Sequence, residues 1–396
     1  MELELNRVWT VVVALACIEI GKWLNRKFIW LEKGNIPPAV SAGLLISLIL
    51  AGVRSLGWLD LSLDPVPRDA LLLVFFASLG FGAHLGKLAS AGKGTLVICL
   101  AILALIFTQN FIGVAMAKLF GQPEEIGLFC GSIAFLGGHG TAVAWANTDM
   151  ASSMSGAFEL GVGSATMGLV LGGLVAGPVS MFLMKRKTED IVHATVFEKD
   201  APVVTRREHV FSSNRWLICL LFVLVCVAIG VPVREWFNER GTSIPAFLAV
   251  MLVAVLVTNF ADLIKKPMDE EVSDLIGTVS LRIFLAMAML SLDWGELASY
   301  LPMLLCASIL QVTAIIGIAY FVVYKMFGRG HEGSCAAGGF IGFGLGAMPV
   351  GLAVIRRLTE TFGNCPKAIL AITLAASLFC DTANAVLISA FFKWFG

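Results

Sequence analysis

Gly137-Gly138-His139-Gly140-Thr141 and Gly342-Phe343-Gly344-Leu345-Gly346-Ala347-Met348-Pro349 interrupt two apolar stretches at matching places in the two halves of this chain. Each stretch is long enough to enter a bilayer and is broken near its middle. Glycine costs roughly 1 kcal/mol per residue in a helix interior. Inside hydrocarbon, unwound backbone survives only where protein buries it or where it lines a watery cavity. A pair of such breaks in corresponding positions points to the substrate site of a transporter.

The rest of the composition agrees with that setting. Of the 396 residues, 58% are hydrophobic and 14% are charged, and the mean hydropathy is +0.87. Long apolar runs recur from end to end, which is the profile of an all-α polytopic membrane protein. A membrane β-barrel instead shows short alternating strands. The formal net charge is zero, so nothing in the electrostatics suggests nucleic acid or another polyanionic partner. The nine cysteines show no metal-ligand spacing and no long polar loop suited to a disulfide. They read as small buried hydrophobes. Met1–Arg7 carries Glu2 and Glu4, and no cleavable signal peptide is expected.

Ten spanning helices are expected, roughly over 8–24, 37–57, 69–90, 95–119, 156–184, 215–233, 244–264, 272–292, 297–324 and 367–394. Two re-entrant hairpins are expected over 124–150 and 332–358. The single long polar stretch, 185–214, reads as a linker between two halves, 1–184 and 215–396. With the N-terminus outside, seven of the 28 Lys and Arg residues fall on the outer side, and Arg282 lies within a span. The others are cytoplasmic, as the positive-inside rule requires. Both termini are then outside, and the two hairpins enter from opposite faces.

An internal repeat supports this layout. Ile36-Pro37 opens the second span and Ile244-Pro245 the seventh. Gln109 answers Gln311, Gly138-x-Gly140 answers Gly344-x-Gly346, and Thr166 and Leu171 answer Thr373 and Leu378. The offsets cluster near about 205 residues. Five spans per half is an odd number, so the halves have opposite topology. Inverted repeats of this kind meet around a ligand site near the membrane midplane.

The residues that can carry chemistry gather around the breaks. Exposed N–H groups at Gly137, Gly138, His139, Gly140 and Thr141, with the positive end of the following helix, can hold a carboxylate. The alternative is tight helix packing through small residues. Gly344, Gly346 and Ala347 read the same way, with Pro349 starting the outgoing half-helix. His139 can contact substrate, carry a proton or hold the loop through a backbone hydrogen bond, and the last is favoured. Gln109, Asn110 and Gln311 are polar residues inside spans that either face substrate or join helices. Asp381 and Asn384 are three apart and share a helix face. A carboxylate at that depth costs about 2.5–3.5 kcal/mol unless a cation pairs with it. Asp381, Asn384, Ser377 and local carbonyls can ligate sodium, with Thr166 added from the first repeat. A protonated Asp381 in a proton-coupled carrier and a plain inter-helix hydrogen bond are the alternatives. Arg282, within the eighth span, has three possible partners: a substrate carboxylate, Asp381 or the inner interface. A carrier is favoured over a channel or an intramembrane enzyme using His139, for which no second set of ligands or bases appears.

Leu136-Gly137-Gly138-His139-Gly140-Thr141-Ala142-Val143-Ala144-Trp145 resembles the signature of bacterial sodium/glutamate symporters. Gly342–Pro349 resembles that family's second glycine motif, and Met167–Leu174 and Phe284–Ala288 are similar to it too. The order of spans agrees over essentially the whole chain. The resemblance implies sodium-driven uptake of L-glutamate across the inner membrane; the alternative is a sodium- or proton-coupled carrier for another small carboxylate or amino acid. It also implies an elevator-like movement, a homodimer embedded in lipid, and no enzymatic activity. Two departures stand out: Met348 replaces the threonine of the family's Ala-Thr-Pro ending, and Arg282 is outside its pattern.

Overall fold

The computed structural model describes residues 2–28, 31, 36–58, 60–90, 92–151, 154–185, 213–240, 244–265, 269–346 and 348–395. Ala347 and residues 186–212 of the expected linker lie outside them. The first half runs β1 (Glu2–Leu5), α1 (Arg7–Lys27), α2 (Pro38–Ser55), β2 (Asp60–Leu63), α3 (Pro65–Phe81), α4 (Leu85–Ser90) and α5 (Gly92–Leu119). A 3-10 segment (Glu124–Cys130), turns over 131–137, α6 (Gly138–Ala146) and α7 (Ala157–Lys185) complete it. The second half runs α8 (Ser213–Glu239), α9 (Ala246–Leu263), α10 (Glu270–Leu290), α11 (Trp294–Ile318), α12 (His331–Gly346), α13 (Met348–Phe362), α14 (Pro366–Ala375) and α15 (Asp381–Phe395). Single π-helical turns extend α11 (Ala319–Tyr324) and join α14 to α15 (Ala376–Cys380).

Local sequence sets the helix starts. Asn6 caps α1, its side-chain oxygen accepting from the N–H groups of Val8 and Trp9. Asp64, Asp269 and Asp293 cap α3, α10 and α11 in the same way. Pro37 and Pro245, the repeat mates, sit at the equivalent N-cap of α2 and α9 with nearly the same backbone angles.

Nine helices among the described residues are long and apolar enough to cross a membrane. The stretch expected as one span over 69–90 is divided. α3 ends at Phe81, and α4 begins at Leu85 after Gly82 and His84. The split is held by Asn259 of α9, whose side chain accepts from Leu85 N and donates to Ala83 O. The helical fold also carries a short parallel ribbon that the sequence reading lacks, pairing Glu2 with Asp60 through Leu5 with Leu63.

The long helices pack in two groups. α1, α2, α3, α8, α9 and α10 lie against one another, while α5, α7, α11, α14 and α15 surround the segments that hold the two breaks. The groups meet where α6 touches α10 and α15 touches α9. Trp145 of α6 marks the seam, with its ring 5.3 Å from both Phe247 of α9 and Phe392 of α15.

The glycine-rich surfaces let backbones approach closely. A Cβ on Gly113 of α5 would lie 2.0 Å from Gly127 O, and one on Gly127 would lie 2.3 Å from Gly113 O. α12 is buried from Gly333 to Gly346. Its Gly342 faces Gly351 of α13, Gly339 faces Ile355 and Gly338 faces Leu358. The pairing is antiparallel, so α12 and α13 form a helical hairpin. The expected unwinding over Gly342–Pro349 is therefore narrower than the glycines suggested. α12 stays helical through Gly346, because Gly342, Gly344 and Gly346 serve close packing.

Gly113→Ala should lower the melting temperature of the detergent-purified protein. Overpacking against backbone costs about 1–3 kcal/mol or more. Gly173→Ala and Gly177→Ala, where an added Cβ meets nothing within 4 Å, should leave the melting temperature unchanged or raise it.

Candidate functional site at the two breaks

The first break is a run of turns that ends in a glycine with positive φ. Gly131 N donates to Leu128 O, Phe135 N to Gly131 O, and Gly137 N to Ser132 O at 3.0 Å. Gly138 has φ +69, a conformation that a side chain disfavours. α6 starts there with Gly137 as its cap and no side-chain capping bond. The first N–H groups of a helix have no partners within it, so this terminus presents donors and the positive end of the dipole. Gly138, His139 and Gly140 are buried, and Gly137 and Thr141 are half-buried. Gly140 faces the other helix group: a Cβ there would lie 3.1 Å from Leu281 and 3.3 Å from Phe75.

Amide side chains from three different helices hold the turn. Gln311 of α11 donates to Cys130 O at 2.8 Å and to Gln109 O at 2.9 Å. Asn110 of α5 accepts from Ser132 N at 2.9 Å, and Asn384 of α15 donates to Ser132 O at 3.1 Å. Gln109 of α5 donates to Gly344 O of the second hairpin at 2.9 Å. The repeat mates Gln109 and Gln311 thus join helices through their amide nitrogens. Their oxygens are another matter. Gln109 Oε1, Gln311 Oε1, Asn384 Oδ1 and Ser132 Oγ are buried and make no hydrogen bond with any described residue, and Asn110 Nδ2 is in the same position. Asn110, Gln311 and Asn384, which bond residues 130 and 132, Ser132 itself, and Gln109, which bonds Gly344, each leave one buried polar atom unpaired, and four of those five atoms are oxygens.

The second break lies beside the first. On Gly168 of α7, a Cβ would stand 2.3 Å from Leu345 O and 2.8 Å from the Phe135 ring. One glycine of α7 therefore touches both breaks. Gly344 packs against Leu105 and Ile315, and Gly346 against Leu169 and Val350.

The other expected site residues divide. His139 Nε2 meets Thr166 Oγ1 at 3.0 Å, and Thr166 also donates to Val162 O. The histidine therefore anchors α6 to α7 through a side chain rather than through backbone. Asn384 belongs to the cluster around Ser132. Asp381 is half-buried, directly after the π turn and one helical turn before Asn384. Turns of that kind recur at functional sites. Ser377 is exposed and donates to Thr373 O of its own helix. Arg282 is exposed on α10 and lines a groove with Glu19 and Lys22 of α1. Among the described residues it pairs with no carboxylate, Asp381 included. Ser132 was legible only as a small polar residue just before the glycines, and nothing in its spacing tied it to Asn110 or Asn384.

A cleft opens between the two helix groups at the far end of α6. Asp69, Asn147, Asp149, Arg234 and Phe247 line it, and Arg234 pairs with Asp149 across it.

The sodium/glutamate symporter family profile matches residues 3–364 of this chain. The sodium/glutamate symporter of Escherichia coli (strain K12) is 33% identical over 394 residues, covering 97% of both chains. That of Haemophilus influenzae is 30% identical over 391 residues, covering 97% of this chain and 96% of the relative. The shared length takes in both breaks and every helix that holds them, and the chain belongs to the sodium/glutamate symporter family.

Proposed function

We propose that this chain takes up L-glutamate across the bacterial inner membrane by coupling it to sodium entry. The observation that carries the reading is full-length similarity to sodium/glutamate symporters, joined to buried unpaired oxygens on Gln109, Ser132, Gln311 and Asn384. Membership of a symporter family sets aside the intramembrane-enzyme reading of His139.

The layout is ten spans in two inverted halves, 1–184 and 215–396, with α3 as the tenth span. The linker 185–214 is cytoplasmic, and both termini face the periplasm. Helix pairings support the repeat: α2 packs on α10 as α9 packs on α3, and α1 packs on α10 as α8 packs on α3. At 1.5 Å per residue the sixteen residues of α12 reach about 24 Å, short of a full crossing. That length supports a re-entrant hairpin at 332–358, and the nine residues of α6 do the same for 124–150.

Sodium is a hard cation and takes oxygen ligands. Gln109 Oε1, Ser132 Oγ, Gln311 Oε1 and Asn384 Oδ1 supply four, and Asp381, one turn away, supplies the negative charge. Each buried acceptor left unpaired costs about 1–3 kcal/mol, and a bound cation offsets that cost. Thr166 is turned to His139 and Ser377 faces outward, so neither belongs to this set. Glutamate places a carboxylate at the start of α6, on the N–H groups of His139, Gly140 and Thr141. Gly344 and Gly346, at the end of α12, form the opposite wall, and Ala347 lies outside the described residues.

Elevator-like movement is sliding of the group around the breaks against the group of α1, α2, α3, α8, α9 and α10. The small contact of Gly140 with Phe75 and Leu281 suits such a seam, and the Arg234–Asp149 cleft is its outer mouth. The homodimer belongs to the same reading. α8 is the least buried of the long apolar helices among the described residues and offers a face for a second copy within lipid.

In proteoliposomes, labelled glutamate should accumulate with an inward sodium gradient and not with potassium in its place. Equal uptake in both removes the coupling, and uptake of a different anion alone removes the substrate. Asn384→Ala, Ser132→Ala and Asp381→Asn should each raise the sodium concentration for half-maximal uptake about tenfold, a loss of about 1.4 kcal/mol. Thr313→Ala, exposed on α11, should leave it unchanged. Arg282→Ala should neither shift it nor rescue Asp381→Asn, because Arg282 faces α1. Rescue would instead make the arginine the partner of the carboxylate. Gly138→Val should abolish uptake with expression intact, since valine cannot hold φ +69 without strain. Near-normal uptake in that variant would remove the first break from the site.

A further inference from the structure

Three metal-binding side chains converge at the foot of the α12–α13 hairpin, at the end opposite its tip. His331 opens α12 and Cys335 follows four residues later, a spacing that places both on one helix face. Cys365 arrives from the other end of the hairpin, in the turn before Pro366 starts α14. The imidazole nitrogen and the two sulfurs all lie within 4.8 Å of one another. His331 Nε2 is 3.9 Å from Cys335 Sγ. A tetrahedral zinc ion, with bonds of about 2.3 Å to sulfur and about 2.0 Å to nitrogen, separates its ligand atoms by about 3.5–3.8 Å. The cluster closes to that spacing by side-chain shifts of about 1 Å or less.

The surroundings are built and not accidental to a flexible surface. Cys335 and Cys365 are 0% exposed, and His331 is half-buried. Glu332, next to His331, accepts from the N–H groups of Lys367 and Ala368 at the start of α14. This ties the two ends of the hairpin together before any metal enters. Thr359 Oγ1 lies 3.3 Å from Cys365 Sγ, and His331 Nε2 lies 2.9 Å from Gly363 O.

We propose that His331, Cys335 and Cys365 form a site for a thiophilic divalent cation of the zinc class, with the fourth position open to water. The three ligands are soft or borderline, so they select against the hard sodium ion that the oxygen cluster takes. The site stands on the hairpin foot alone and does not depend on the transport reading. On binding, each thiol gives its proton to water and donates a sulfur lone pair to the metal. His331 Nε2 gives up to water the proton it donates to Gly363 O and binds the metal through that lone pair, while Nδ1 takes a proton from water, so the imidazole stays neutral as the Nδ1–H tautomer. A disulfide between Cys335 and Cys365 would leave His331 without a role, and the three-ligand arrangement favours metal. Occupancy cross-links the beginning of α12 to the turn after α13 and stiffens the hairpin.

The test uses the full-length protein, reduced and chelator-stripped in detergent, titrated with Co2+ as a spectroscopic stand-in. One equivalent should produce thiolate-to-cobalt absorption, which Zn2+ then abolishes, and Zn2+ should raise the melting temperature. Cys335→Ser and Cys365→Ser should lose the absorption and the thermal shift, while Cys306→Ser, at an exposed cysteine, keeps both. His331→Gln, half-buried at a helix start, guards against serine variants that fail to fold and should weaken cobalt binding about tenfold or more. No thiolate absorption in the reduced wild-type protein overturns the proposal. So does undiminished absorption in either serine variant or undiminished affinity in His331→Gln.

Discussion

Backbone that leaves the helix inside this molecule has to find its hydrogen bonds from other helices. No water from the bilayer core can satisfy it, and an unmade bond costs several kcal/mol there. The turn over residues 130–132 meets that demand with borrowed amides. Gln311 serves Cys130 O, Asn110 serves Ser132 N, and Asn384 serves Ser132 O. The helices carrying these residues, α11, α5 and α15, are thereby fixed around one short loop. An amide has two ends, however, and only one end of each is used. Gln311 and Asn384 are left with an unpaired oxygen and Asn110 with an unpaired nitrogen, so the device that stabilises the break also leaves buried polar atoms beside it.

Glycine supplies the second constraint. Helices bearing few charges gain little from hydrophobic contrast with lipid, so they associate through close packing. Gly113 and Gly127 bring α5 onto the backbone of the 3-10 segment, and Gly168 brings α7 against both breaks. The same residue type plays another part at Gly138, where φ +69 turns the chain into α6. Packing and turning are separate reasons for a glycine, and in this chain they lie within one motif.

The two ends of the second hairpin differ in the groups they gather. At its tip, Gly344 O meets an amide donor from α5. At its foot, sulfur and imidazole stand together with Glu332 capping the next helix. The sixteen residues of α12 separate them.

Much of this was readable along the chain. Apolar run length set the membrane class, and the glycine-His-glycine-threonine stretch pointed to the family. These are local signals, decided by residues a few positions apart. The π turn before Asp381, the division of α3 from α4 by Asn259, and the helical state of Gly342 and Gly344 were not legible. The division of α3 from α4 depends on Asn259, a partner distant in sequence, and Gly344 packs against Leu105 and Ile315 of other helices. The same holds for function. Sequence by itself could nominate Gln109, Gln311, Asn384 and the first glycine cluster, because polar and flexible residues are conspicuous in an apolar chain. It could not say that Ser132 joins them, that Thr166 belongs to His139, or that Arg282 faces α1. Nor could it bring His331, Cys335 and Cys365 within 4.8 Å. Tertiary structure decided those points, because which atoms of a buried polar side chain are paired depends on helices that meet only after the chain has folded.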